Sequence, residues 1–167
     1  MTDSVEYMYG DIEPLGTADL YLDEILEIIH QIPLFEGFNQ EEVKAVCQHM
    51  KCYAAPGNYV LMQEGMAGVG LVLILTGAAQ ELGKQEATFT DVLPGTCLGE
   101  ATFVDGKPNM VSYVATVPTD FAIMTRENLN AILLEYPCLG NKLLLRLAHL
   151  VATRLRDVKH QVCTSMA

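Results

Sequence analysis

Few of the side chains able to carry chemistry are spaced for it in this sequence. His30, His49, His149 and His160 form no HxH or HExxH pair, so no cluster of imidazoles for a metal is expected. Cys47, Cys52, Cys97, Cys138 and Cys163 are odd in number and make no CxxC, a pattern of free thiols in a reducing compartment rather than of zinc or iron–sulfur ligands. Cys138 sits at a helix start, where a thiol pKa can fall, yet it has no identifiable histidine partner. The run Gly65-Met66-Ala67-Gly68-Val69-Gly70 lacks the Gly-Lys-Ser/Thr ending of a phosphate loop. The adjacent Glu41 and Glu42 point to different sides of a helix, and no GxSxG elbow is present. These residues predict a non-enzymatic chain without a metal or cofactor. One segment stands apart: Leu98-Gly99-Glu100-Ala101-Thr102-Phe103-Val104-Asp105-Gly106-Lys107-Pro108, after the turn Pro94-Gly95 and before the apolar run at Val111.

The elements that must position this segment are legible from periodicity. The chain has 167 residues, half of them hydrophobic, which suits a single domain with one buried core. Residues 1–17 are acidic, with Pro14 and Gly16, and read as a flexible arm. Residues 18–50 read as helices: Leu22, Ile25, Leu26 and Ile29 share a stripe ended by Pro33, and Asn39 caps a second helix whose Val43, Val46, Cys47 and Met50 share a face. Between 51 and 125 the texture changes to short apolar runs at 59–62, 70–75, 78–82, 88–93, 111–116 and 121–125, punctuated by glycine and proline. That rhythm predicts an antiparallel, mainly β jelly-roll barrel. From 126 to 163 the helical period returns, with a short helix stopped at Tyr136-Pro137, a long one after it, and a tail at 164–167.

The long helix carries two apolar stripes. Leu144, Ala148, Val151, Leu155, Val158 and Val162 follow the 4-3 spacing of a coiled-coil seam, while Leu143, Leu147 and Leu150 lie beside it. We expect the second stripe to face the β core and the first to face another copy of the helix in a homodimer.

Ten Lys and Arg stand against 21 Asp and Glu. The balance argues against a nucleic-acid partner or an anionic membrane surface, since both take their affinity from basic groups. The charge is uneven: residues 1–50 hold eleven acids and one base, and residues 136–167 hold five bases and one acid. No signal peptide or membrane-length apolar run is visible, which predicts a cytoplasmic protein.

The segment at Leu98 resembles the phosphate-binding cassette of the cyclic nucleotide-binding domain family, found in catabolite-activator-type regulators, kinase regulatory subunits and gated channels. That cassette reads Phe-Gly-Glu-Leu-Ala, then Pro-Arg-Ser/Thr-Ala; here it reads Leu98-Gly99-Glu100-Ala101-Thr102, then Pro108-Asn109-Met110-Val111. Pro33-Leu34-Phe35, Pro56-Gly57-Asn58-Tyr59-Val60-Leu61, the glycines from Gly65 to Gly77, and Arg126-Glu127-Asn128-Leu129 resemble further family features in order. The resemblance implies a bacterial-type sensor or regulatory module, with Leu98, Gly99, Glu100, Ala101, Asn109 and Met110 at the ligand. In the family the glutamate accepts from a ribose hydroxyl and the arginine grips the cyclic phosphate.

Asn109 stands where the arginine belongs. A lost charged partner costs about 2–5 kcal/mol, enough to weaken a low-micromolar cyclic nucleotide to roughly 0.1 mM or beyond. Lys107, or Arg154, Arg156 or Lys159 from the long helix, are candidates to supply the missing charge. The family's base-contacting positions fall near Val158 and Lys159. A cyclic nucleotide, another small ligand and no ligand at all remain open, the last implying a protein–protein interaction module. The helix-turn-helix domain of the family's transcription regulators is not expected, because the sequence stops at Ala167.

Overall fold

The computed structural model describes residues 4–82 and 90–165; residues 88 and 89 of the expected strand at 88–93, the first three residues of the arm and the last two of the tail lie outside them. In chain order the elements are α1 (Ser4–Tyr9), β1 (Glu13–Thr17), α2 (Leu22–Glu27), α3 (Gln40–Cys47), β2 (Lys51–Ala55), β3 (Val60–Met62), β4 (Leu71–Ile74), β5 (Ala79–Leu82), β6 (Thr90–Val92), β7 (Cys97–Leu98), α4 (Glu100–Asp105), β8 (Ser112–Ala115), β9 (Thr119–Met124), α5 (Arg126–Glu135) and α6 (Pro137–Ser165). Short 3₁₀ turns flank α2 and carry Pro33–Phe35.

Two antiparallel sheets form, ordered β1-β2-β9-β4-β7 and β3-β8-β5-β6. Alternation along the strands explains how they stack. In β4, Val72 and Ile74 point into a core shared with Leu61, Ala79, Tyr113 and Ala115 of the smaller sheet. Leu71 and Leu73 point the other way, into a core with Val43, Val46, Leu129, Ile132, Leu143 and Leu147 of the helices. Phe121 and Ile123 against Ala122 and Met124 repeat the division in β9. β4 and β9, at the centre of the larger sheet, are buried on both faces, which is why they read as continuous apolar runs.

The fold is jelly-roll-like and rich in β structure, with helices packed outside one sheet. Two features differ from expectation. Among the described residues the sheets do not join into a closed barrel, and helical residues outnumber strand residues, because α6 alone runs for 29 residues.

The reading of residues 1–17 as a flexible arm is also corrected. β1 pairs with β2, with a bulge between Pro14 and Gly16. Tyr9, fully buried, donates to Leu61 O at 2.8 Å and lies edge-on to Phe121. Acidic composition suggested solvation, yet Val5 and Tyr9 are four apart on α1 and bury together, as helical neighbours at that spacing do.

α3 begins as the sequence predicts. The Asn39 side chain accepts from Glu42 N and Glu42 accepts from Asn39 N, each at 2.9 Å, a reciprocal capping box. Its Val43, Val46 and Cys47, with Met50 beyond, are at most 1% exposed. All five cysteines are unpaired thiols, three of them buried; burial pushes Cys47, Cys52 and Cys97 up to about 12. No helix of the described residues is long and apolar enough to cross a membrane.

Candidate functional site

The cassette is built at the junction of β7 and α4. Leu98 buries under the sheets at 1% exposure. Gly99 then turns the chain with φ +77°, a left-handed conformation that favours glycine, and a side chain there would press on the terminal methyl of Met62. The turn swings Glu100 inward, where it is only 4% exposed.

A buried carboxylate needs a partner, and Glu100 finds one in the last helix. Arg154 Nε lies 2.7 Å from Glu100 Oε1, and the same guanidinium donates to Cys97 O at 2.6 Å. Burial raises the Glu100 pKa, and Arg154 opposes that shift.

Asn109 closes the other side of the site at 5% exposure. Its backbone N donates to Met66 O at 2.9 Å and its carbonyl accepts from Gly65 N at 2.8 Å. Its side-chain Nδ2 donates to Gln63 O at 3.2 Å. One amide hydrogen is thereby used on the β3 side, and Oδ1 lies beside Gly68. Glu100 Oε2 and Asn109 Oδ1 are both buried and have no hydrogen-bond partner among the described residues.

The cavity that both residues border is small. A cavity of about 50 Å³ is lined by Met62, Glu100, Asn109, Met110, Tyr113 and Arg154, among others, whereas small-molecule sites run to about 300–1,000 Å³. A second cavity of about 320 Å³ also borders Glu100 and Arg154, with Arg146, His149 and Thr153.

The sequence candidates are distributed as follows. Gly99, Glu100, Ala101 and Asn109 converge on the small cavity, and Met110 borders it while 72% exposed. Lys107 does not reach it; its ammonium is 3.5 Å from the exposed Asp105. Arg156 and Lys159 are exposed and line neither cavity, as is Val158. Of the four candidate bases only Arg154 comes to the cassette. Its spacing carries the signal: Leu143, Leu147, Leu150 and Arg154 follow a 4-3-4 spacing, so Arg154 extends the buried stripe. The other stripe stays outside, with Leu144, Ala148, Leu155, Val158 and Val162 exposed and Val151 half-buried.

Two contributors were not singled out in the sequence. Arg126 donates through Nε to Phe103 O at 2.8 Å and through a terminal nitrogen to Thr102 O at 3.3 Å, tying α5 to the end of α4. A base in the first turn of a helix opposes the helix dipole, and that anomaly was its signal. Gly68 packs so closely that a side chain there would strike Thr102 and press on Asn109 Oδ1. Among the described residues, no group of three or more His, Cys, Asp or Glu side chains is gathered to hold a metal.

No protein-family model matches the chain. A cyclic nucleotide-binding domain of Methylobacillus flagellatus KT, known from its crystal structure, is 38% identical with a TM-score of 0.84, over 99% of this chain and 96% of that one. The cyclic AMP receptor protein of Thermus thermophilus is 30% identical over 129 residues, 75% of this chain and 58% of the relative; the match thus spans little more than half that protein's length. The crystal structure of the Thermus thermophilus catabolite activator protein aligns with a TM-score of 0.70 at 28% identity, over 80% of this chain and 63% of that one.

Proposed function

The chain belongs to the family of cyclic nucleotide-binding domains, and from that premise we propose that it is a non-enzymatic regulatory module whose cassette reports to the last helix through Glu100 and Arg154, without the arginine grip on a cyclic phosphate. The observation that carries this reading is the 2.7 Å Glu100–Arg154 pair in a cassette whose arginine position holds Asn109. Any occupant that perturbs Glu100 also perturbs α6, and the coupling is bounded by the occupant's differential affinity for the two arrangements.

The exposed stripe of α6 supports a homodimer as the output, because Leu155, Val158 and Val162 are each at least half exposed at seam spacing. A ligand-free interaction module draws support from the small cavity; the two partnerless buried acceptors weigh against it, since such atoms are rarely left unpaired.

Hydrogen exchange tests the relay. Glu100→Ala is expected to speed amide exchange in α6 around residues 150–158 while α3 stays unchanged. A change confined to α4 would overturn the coupling.

A further inference from the structure

Two carboxylates stand where the pattern of their elements calls for apolar side chains. Tyr21, Glu24, Ile25 and Ile28 follow helical spacing along α2 and its flanking turns, and together they wall one side of a cavity of about 240 Å³. The larger sheet supplies the other side through Leu15 of β1, Asp120 of β9 and Leu75 just past β4. Asp120 has the same parity on β9 as Ala122 and Met124, which point into the helical core. Ile25 is 1% exposed, and the apolar side chains around it all pack against that core. Among the described residues no lysine, arginine or histidine lines the cavity, and neither carboxylate has a hydrogen-bond or ion-pair partner. The surrounding chain offers little relief, since residues 1–50 hold eleven acids and one base.

We propose that this cavity is a second ligand site, separate from the cassette, and that it takes a compact organic cation whose hydrocarbon body lies against the apolar walls and whose ammonium pairs with Asp120 and Glu24. It shares no lining residue with the two cavities at Glu100. An anion would set its charge against two carboxylates, and a purely apolar ligand would strip water from them without supplying a counter-charge. Charged groups on core-facing positions break the local pattern, and folded proteins keep such conflicts chiefly at functional sites. The volume falls just below the roughly 300–1,000 Å³ of small-molecule sites, which suits an amine on one ring or a short chain and excludes a nucleotide.

Ile25 and Ile28 line the cavity, whereas Ile132 of α5 does not, so methyl-labelled isoleucine NMR reads occupancy against an internal control. Titration of the wild-type chain with cyclohexylamine, an ammonium at neutral pH as lysine is, is expected to shift the Ile25 and Ile28 signals saturably and to leave Ile132 in place. Cyclohexanol, the same ring without the charge, should bind about five- to tenfold more weakly, and cyclohexanecarboxylate should leave all three signals unchanged. Asp120→Asn should narrow the gap between amine and alcohol. The wild-type series stands even where that variant does not fold. No shift with the amine, equal affinity for the alcohol, tighter binding of the carboxylate, or an equal shift at Ile132 each overturns the proposal. None of these outcomes bears on the exchange response to Glu100→Ala, so this site and the relay fail separately.

Discussion

Arg154 on α6 holds both sides of the turn that creates the cassette, pairing with Glu100 at 2.7 Å beyond Gly99 and donating to Cys97 O at 2.6 Å before it. Glu100 is buried and Arg154 is 44% exposed at its side chain. Breaking a fully buried pair costs about 3–5 kcal/mol, and solvent at the arginine reduces that here. Arg154→Ala should lower unfolding free energy in urea by about 1–3 kcal/mol. Adding Glu100→Gln, which removes the stranded charge, should recover part of it; no recovery would mean that the arginine acts by packing alone.

Arg126 plays a corresponding part at the far end of α4. Its donation to Phe103 O covers a carbonyl that a helix end leaves unpaired, and its donation to Thr102 O adds to the bond that carbonyl accepts from Gly106 N. Arg126 is exposed overall, so Arg126→Ala should cost only about 0.5–1.5 kcal/mol. The sharper readout is amide exchange, which should quicken across residues 100–106. Protection unchanged there would remove the arginine from the cassette's support.

How much of this was legible depends on whether a feature is local or depends on a distant partner. The Asn39–Glu42 capping box, the glycine turn into Glu100 and the two stripes of α6 are local, and their spacing alone locates them. β7 is two residues long and β1 contains Pro14 and Gly16; neither carries enough pattern to announce a strand, and both exist because a neighbouring strand pairs with them. The Asn109 departure is visible in the sequence, but its bond to Gln63 is not. Among the bases of the last helix, only the face each occupies separates Arg154 from Arg156 and Lys159.

The exposed stripe of α6 predicts self-association. At micromolar concentration the wild type should scatter light as twice its 18.3 kDa chain mass, and Leu155→Glu, placing a charge within the seam, should give the monomer. An unchanged mass in the variant would exclude that stripe as the interface.

Glu42 links α3 to α6 through Lys142 Nζ at 2.6 Å, and that hydrogen bond, with the capping bond to Asn39 N, holds its carboxyl below its ordinary 4.5. A depressed carboxylate contributes stability above its unfolded pKa and loses it as pH falls through the folded one. Glu42→Gln retains a capping box and should cost less than about 1 kcal/mol at neutral pH. The difference in Tm between wild type and variant should close as pH drops below 4.5; a pH-independent difference would assign it to the cap.

Calorimetric titration of cAMP tests the central claim most directly, with the wild type and Asn109→Arg side by side. With Asn109 committed to Gln63 and the cavity near 50 Å³, the wild type should bind no tighter than roughly 0.1 mM, the level that loss of a charged partner implies. The arginine variant should bind at least tenfold more tightly. Low-micromolar binding by the wild type would contradict the account, because it would mean that this cassette grips a cyclic phosphate without the arginine.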